Sequence, residues 1–109
     1  MITDQEIEKA LEWLTTNGRN AAKARAEREY LEEYKGVLKG QIMREHSDQS
    51  LGAQEALAKS DQRYIDHLNA LKEAIERDEY IRWVKSAAEA KIEAWRTQSS
   101  NERALGKIN

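Results

Sequence analysis

The segment that decides the fold runs from Tyr64 to Trp95 and reads YIDHLNALKEAIERDEYIRWVKSAAEAKIEAW. Its apolar residues recur every three or four positions, which is the period of an amphipathic α-helix. Four consecutive charged residues at 76–79 divide them into two stripes, which lie roughly 130° apart around the helix. One long helix is therefore predicted to change its packing partner near residue 78. The first stripe comprises Tyr64, Leu68, Leu71 and Ile75, and the second stripe comprises Ile81, Val84, Ala88, Ile92 and Trp95.

Helical spacing extends over most of the 109 residues. Thr3 and Glu6 form a capping box at the start of the first helix. The helix is predicted to stop at Asn17-Gly18, where Gly18 can take the left-handed conformation that ends helices. The pair Ser60-Asp61 is a candidate cap that would divide the last two helices. We predict a single domain spanning 1–109, with helices at about 3–17, 20–45, 50–59 and 61–98 and a frayed tail at 99–109.

From the order of these helices we predict that the chain folds back on itself at the loop near Asp48. In such an antiparallel hairpin Leu31 lies near Asp66, and Leu14 lies opposite Trp83. The expected fold class is all-α: an elongated, coiled-coil-like antiparallel helical hairpin with a short N-terminal helix that covers the far end of the long one. In the alternative arrangement that end is bare and pairs with another subunit.

Composition narrows the class of protein. Charged residues make up 35% of the chain and hydrophobic ones 39%, so the core is thin and a homo-oligomer is expected. The absence of cysteine excludes a disulfide scaffold and a thiolate zinc site. The net charge of −2 gives no bulk attraction to nucleic acid or anionic lipid. An acidic N-terminus and the lack of an 18-residue apolar run predict a cytoplasmic protein with neither a classical signal peptide nor a membrane span.

Residue patterns that support catalysis are weak in this chain. His46 and His67 have no acidic residue or histidine three or four positions away, the spacing that would place two metal ligands on one helix face. No serine occurs in a G-x-S-x-G context, and no glycine pattern resembles a phosphate-binding loop. We therefore expect no enzymatic activity, no catalytic residue, no metal, no cofactor and no small-molecule substrate.

Two groups of residues are candidates for binding. The first is a basic strip on the second helix, which is either an ordinary solvated face or a short track for nucleic-acid phosphates. The basic strip comprises Arg19, Lys23, Arg25, Arg28, Lys35 and Lys39.

The second candidate is an interface formed by the second stripe, with Trp95 at its tip. The hairpin offers Trp95 only Met1 or Ile2 as cover, which is little for a side chain that can bury up to about 250 Å². Trp95 either caps a small core with Ile2 or packs across a subunit or partner interface, where tryptophan is enriched among energetic anchors. We expect the interface.

The segment from 55 to 104 contains the short sequence motifs HLNAL, AAEAKIEAWR and SNERA. Over this half of the chain the sequence resembles small helical proteins encoded in phages and prophages, often near recombination or replication genes. The resemblance implies a non-enzymatic, cytoplasmic phage accessory protein that binds a recombinase, a single-strand-binding protein or single-stranded DNA. The alternative is a pure protein–protein module, such as a phage inhibitor of a host defence or host enzyme, or an assembly factor.

Overall fold

A computed structural model describes the backbone of residues 1–108 and the side chains of residues 1–106. It contains the helices α1 (Asp4–Thr16), α2 (Gly18–Glu45), α3 (Leu51–Ser60) and α4 (Gln62–Ile108). No β-strand occurs among the described residues, which confirms the all-α class. None of the helices in this described part combines the length and the apolar character that a membrane span requires.

Thr3 caps the start of α1 through the capping box that the sequence predicts. The Thr3 hydroxyl accepts a hydrogen bond from the Glu6 amide at 3.2 Å, and the Glu6 carboxylate accepts one from the Thr3 amide at 3.1 Å. Together these bonds satisfy two of the backbone amides that a helix start leaves without an intrahelical partner.

The predicted stop of the first helix at Asn17-Gly18 is confirmed, but Gly18 does not adopt the left-handed conformation. Asn17 interrupts the helix instead, with φ −103° and ψ 5°, and its side-chain amide donates to the Trp13 carbonyl oxygen at 3.0 Å. Gly18 is the first residue of α2, and no glycine among the described residues has a positive φ. The chain re-enters a helix at once because the Asn17 carbonyl already accepts from the Ala21 amide at 2.9 Å.

The predicted break at Ser60-Asp61 is confirmed. Asp61 leaves the helical conformation with ψ 136°, and its carboxylate accepts a hydrogen bond from the Arg63 amide at 2.9 Å. This bond satisfies an amide in the first turn of α4, so the side chain that interrupts one helix starts the next.

The last helix is longer than predicted, since α4 continues to Ile108. The prediction of a frayed tail at 99–109 is therefore wrong for residues 99–108. Residue 109 lies outside the described residues. The segment 99–106 lost the apolar period, but it retains good helix formers such as Glu102, Arg103, Ala104 and Leu105. Propensity without a buried face is enough here to extend a helix that is already formed.

The chain divides into two compact units. Unit 1 consists of residues 1–21 and 80–109, and unit 2 consists of residues 22–79. The division in α4 falls between residues 79 and 80, where the sequence predicts that the helix changes partner. A single domain spanning 1–109 stays a prediction.

Unit 2 pairs α2 and α4 in antiparallel directions. The Arg63 guanidinium lies 3.0 Å from the Glu45 carboxylate, and the Arg28 guanidinium lies 3.0 Å from that of Asp78. Between them His67 Nε2 lies 2.7 Å from the Leu31 carbonyl oxygen, one position from the register that the sequence predicts. The core of unit 2 adds α3 and comprises Ile42, Ala58 and Tyr64, with Leu38 and Met43 packed against it.

Unit 1 pairs α1 with the second half of α4, also in antiparallel directions. Ile2 and Gln98 exchange two hydrogen bonds of 3.3 Å. The prediction that Trp83 packs against Leu14 is wrong, because Trp83 is 78% exposed. Position 83 lies about 140° around the helix from position 88, and Ala88 is buried. Among the side chains that the structure describes, the buried residues of unit 1 are Ile7, Ala10 and Ala88.

Candidate interaction surfaces

The basic strip is partly neutralised by carboxylates within unit 2. Arg28 donates to Asp78 at 3.0 Å and to Glu79 at 2.6 Å, and Asp78 is only 2% exposed. The hydrogen bond to Glu79 is the main reason that the pKa of Arg28 lies above its ordinary value. Arg28 therefore balances a buried negative charge, and a nucleic-acid phosphate would have to compete with that carboxylate.

Lysines of the strip also have carboxylate partners. Lys39 donates to Glu55 at 2.6 Å, which holds the pKa of that carboxyl group below its usual range. Lys35 lies 3.3 Å from Glu32. Both contacts reduce the charge that α2 offers to an external anion.

The solvent-accessible positive charge of the basic strip is concentrated at the start of α2. Arg19 is exposed in unit 1, and Lys23 and Arg25 are exposed in unit 2. Arg25 contacts Glu29 at 3.0 Å, but both side chains remain more than half exposed, so the pair is weak and easily exchanged. These three residues are the ones on which nucleic-acid binding would depend.

The second stripe forms the core of unit 1 rather than an open face. Ala88 is 7% exposed, and the other four members, Ile81, Val84, Ile92 and Trp95, are half-buried. Helix α1 covers them with Ile7 and Ala10, which are 6% and 7% exposed. Val84 and Ala88 line a groove together with Ala10 of α1, and Trp95 bonds to Asp4, while an interface formed by this stripe stays a prediction.

Trp95 has partners in its own unit. Its indole Nε1 donates to the Asp4 carboxylate at 3.3 Å. Its ring lines a shallow cavity together with Met1 and Ile2. The N-terminal segment therefore supplies the cover that the sequence suggested only weakly, although Met1 itself is 96% exposed. A role for Trp95 at an interface stays a hypothesis.

A groove of about 360 Å³ lies between α1 and α4 in unit 1. Its apolar lining includes Trp13, and three charged side chains, Glu6, Lys9 and Lys91, also line it. The small alanines of α4 leave this space open, because they do not reach the indole ring opposite. The apolar lining comprises Ala10, Trp13, Val84, Ala87 and Ala88.

A third apolar stripe on α4 is left open to solvent. Tyr80 is 67% exposed and Trp83 is 78% exposed, and the alanines that follow them at helical spacing are exposed as well. Sequence reasoning missed this stripe because the larger isoleucine and valine residues next to it suggested a different face. Its signal was nevertheless present in the alternating spacing of three and four residues. This open stripe comprises Tyr80, Trp83, Ala87, Ala90 and Ala94.

One of the two histidines, His67, has structural surroundings. His67 contacts the Leu31 carbonyl, and its ring lies 5.7 Å from the Tyr34 ring, centroid to centroid. Within residues 1–108 no group of three or more histidine, cysteine, aspartate or glutamate side chains is placed to hold a metal ion.

Comparison with protein-family models, with curated proteins and with solved structures finds no match to this chain.

Proposed function

We propose that this protein is a non-enzymatic, oligomeric accessory protein that acts through protein–protein contacts in phage DNA recombination or replication. The observation that carries the proposal is the open stripe, in which Trp83 is 78% exposed and Tyr80 is 67% exposed. Aligned exposed aromatic residues are typical of surfaces that are covered in an assembly, because tryptophan and tyrosine are enriched among the residues that anchor interfaces.

The paired basic residues of α2 and the net negative charge favour binding to a protein over electrostatic binding to nucleic acid. Arg28, Lys35 and Lys39 each have a carboxylate within 3.3 Å. The chain carries a net charge of −2, so no long-range attraction to phosphate adds to these local contacts.

The resemblance to small helical phage proteins suggests where the protein acts and what it binds. A protein of this kind acts in the cytoplasm of the bacterial host, with a recombinase or a single-strand-binding protein as its partner. The alternative is a pure protein–protein module that inhibits a host defence or a host enzyme, or that assists assembly. Both proposals need the oligomer that the open stripe would form, so they differ in the identity of the partner.

Affinity capture with a matched variant tests the proposal. Wild-type protein and the Trp83→Ala variant are immobilised and exposed to extracts of infected cells, and bound proteins are identified by mass spectrometry. We expect a recombinase or single-strand-binding protein to be enriched on the wild type and lost on the variant, because the partner would bind the oligomer that the open stripe holds together. Specific enrichment of a host enzyme or defence protein would instead support the alternative.

Direct binding of single-stranded DNA is a second candidate, favoured by the exposure of Arg19, Lys23 and Arg25. Fluorescence anisotropy with a labelled oligonucleotide should then show affinity that falls steeply with salt, because each neutralised phosphate releases a counterion. Alanine at all three positions should weaken binding and flatten the salt dependence. Alanine at the exposed bases Arg44, Lys59 and Lys72 is the matched control. No binding at about 50 mM salt would leave the protein-only function.

A further inference from the structure

The open stripe has the spacing of a helix–helix seam. Its five residues lie three, four, three and four positions apart, as do the a and d positions of a coiled coil. They fall within an arc of about 80° on α4. Helix α1 lies on another face of α4, where Ala88 is 7% exposed. An added helix could therefore lie along the open stripe without displacing α1.

We propose that a second copy of this chain covers the open stripe, with the two α4 helices antiparallel and related by a two-fold axis. This inference rests on the self-association in the proposed function and names the surface responsible for it. A two-fold interface uses the same patch on both copies, so the patch must be complementary to itself.

Side-chain sizes along the stripe meet that requirement. The aromatic residues Tyr80 and Trp83 lie at one end, and alanines occupy the other three positions. In the antiparallel register that places Trp83 over Ala94 of the second copy, Ala87 lies over Ala90 of that copy, and the symmetric pairs repeat both contacts. A large side chain thus faces a small one, as close packing of helices requires. A parallel pair would instead place Trp83 against Trp83 and Tyr80 against Tyr80.

Charges beside the stripe are compatible with this register. In an antiparallel pair the flanking positions face their equivalents on the other helix. Lys91 then lies near Val84 of the second copy, and Glu93 lies near Ser86 of it. Neither contact joins like charges, so the arrangement avoids the repulsion that often excludes a wrong pairing.

The available area lies near the lower limit for a specific dimer. An aromatic side chain offers about 150–250 Å², so the exposed fractions of Trp83 and Tyr80, 78% and 67%, amount to roughly 200–350 Å² per copy. The three exposed alanines and the flanking side chains add to this on both copies. The total approaches the ~1,000 Å² that separates a specific interface from an incidental contact. The groove beside Trp13 adjoins the stripe at Ala87, so neighbouring side chains of the second copy can enlarge the buried area.

Cysteine crosslinking tests the register directly, because the chain has no cysteine of its own. Proteins carrying Ala87→Cys and Ala90→Cys are mixed and mildly oxidised. The mixed disulfide dimer should form several-fold faster than a disulfide in either protein alone. Ala70→Cys is the matched control, since Ala70 is an exposed alanine on α4 in unit 2, and it should crosslink slowly. Equal rates for the mixed pair and the control would overturn the register.

Solution mass tests the surface independently. Light scattering at micromolar concentration should give twice the 12.6 kDa chain mass for the wild type and for Ala70→Glu, but the single-chain mass for Ala90→Glu. Circular dichroism should show that all three remain helical. A wild-type monomer would overturn this interface together with the proposed self-association. An oligomer that Ala90→Glu leaves intact would overturn only this interface.

Discussion

Unit 2 and unit 1 both pair one shorter helix with α4, but they complete their cores differently. Unit 2 adds α3 and buries Ile42 and Ala58 completely. Unit 1 has no third helix among its described residues, and its buried side chains are Ile7, Ala10 and Ala88. The largest apolar side chain on its part of α4 to remain mostly exposed is Trp83. A third element closes one unit, whereas the other keeps an apolar face that a second molecule can cover.

Polar contacts follow the same division. Ion pairs between residues that are distant in sequence join the helices of unit 2. Arg77 lies 3.2 Å from Glu27, and Lys39 lies 2.6 Å from Glu55. Exposed pairs contribute little stability individually, but opposite charges favour one alignment of two helices over others. In unit 1 the bonds from Ile2 and Asp4 to α4 lie at the N-terminal end of α1. Register there depends mainly on apolar packing.

The largest expected effect is the loss of the unit 2 core. Ile42→Ala removes a side chain that is 0% exposed, so it should lower the free energy of unfolding by about 2–5 kcal/mol through lost burial and a residual cavity. Urea denaturation followed by circular dichroism measures it. Val37→Ala on the same helix, where Val37 is 51% exposed, should change stability by less than about 0.5 kcal/mol. Similar losses for both variants would contradict a closed core in unit 2.

Two tryptophans of α4 should respond in opposite ways. Trp95 is half-buried and hydrogen-bonded to Asp4. Trp95→Ala should therefore lower the free energy of unfolding by about 2 kcal/mol, which is less than the ~3–5 kcal/mol expected at a fully buried site. The mass of the protein in solution should not change. Trp83→Ala should keep the separated chain helical and weaken dimerisation by about 2 kcal/mol, roughly 30-fold in the dissociation constant. Light scattering and urea denaturation on both variants separate the two effects. Dissociation caused by Trp95→Ala would instead support the interface hypothesis for that residue.

A buried carboxylate in unit 2 gives the next effect. Asp78 is 2% exposed and accepts a hydrogen bond from Arg28. Asp78→Asn keeps the side-chain size but removes the charge, so it should cost about 1–3 kcal/mol of unfolding free energy. Glu79→Gln changes an exposed carboxylate on the same arginine and is the control. If the control lost as much stability as Asp78→Asn in thermal denaturation, burial of Asp78 would not be the cause.

The smallest effect concerns pH. The hydrogen bond from Lys39 lowers the pKa of Glu55 in the folded chain, so this pair stabilises the fold above the unfolded pKa of about 4.3. That contribution is lost as pH falls through the lowered folded pKa. Glu55→Gln should therefore lower the melting temperature slightly at neutral pH, and the difference from wild type should shrink as the pH falls below the unfolded pKa. Glu33→Gln, at an exposed glutamate of α2, controls for the amide. A constant difference across this range would contradict the stabilising role of the pair.

Much of the backbone could be predicted from local signals. The capping box at Thr3 and the break at Ser60-Asp61 depend on side chains that bond to amides two or three positions away. The change of partner in α4 was visible because apolar periodicity records which helix face is buried. Both kinds of signal lie within a few turns of the residues that they affect.

What sequence reasoning missed depends on contacts between distant segments. The carboxylates facing Arg28 lie 50 and 51 positions away, so no local pattern showed that this arginine is already paired. Trp83 was placed against Leu14 by counting positions along a hairpin, but that count ignores direction around the helix. The helical segment at 99–106 was missed because apolar periodicity received more weight than intrinsic propensity.

Amide hydrogen exchange at two protein concentrations tests the central claim most directly, since it reports the open and the closed unit in one experiment. If unit 1 self-associates through the open stripe, amides at 80–94 should gain protection as concentration rises from below to above the dimer dissociation constant. Amides of unit 2 at 24–42 should gain less. A protection pattern that does not change with concentration, or that rises only in unit 2, would contradict the account.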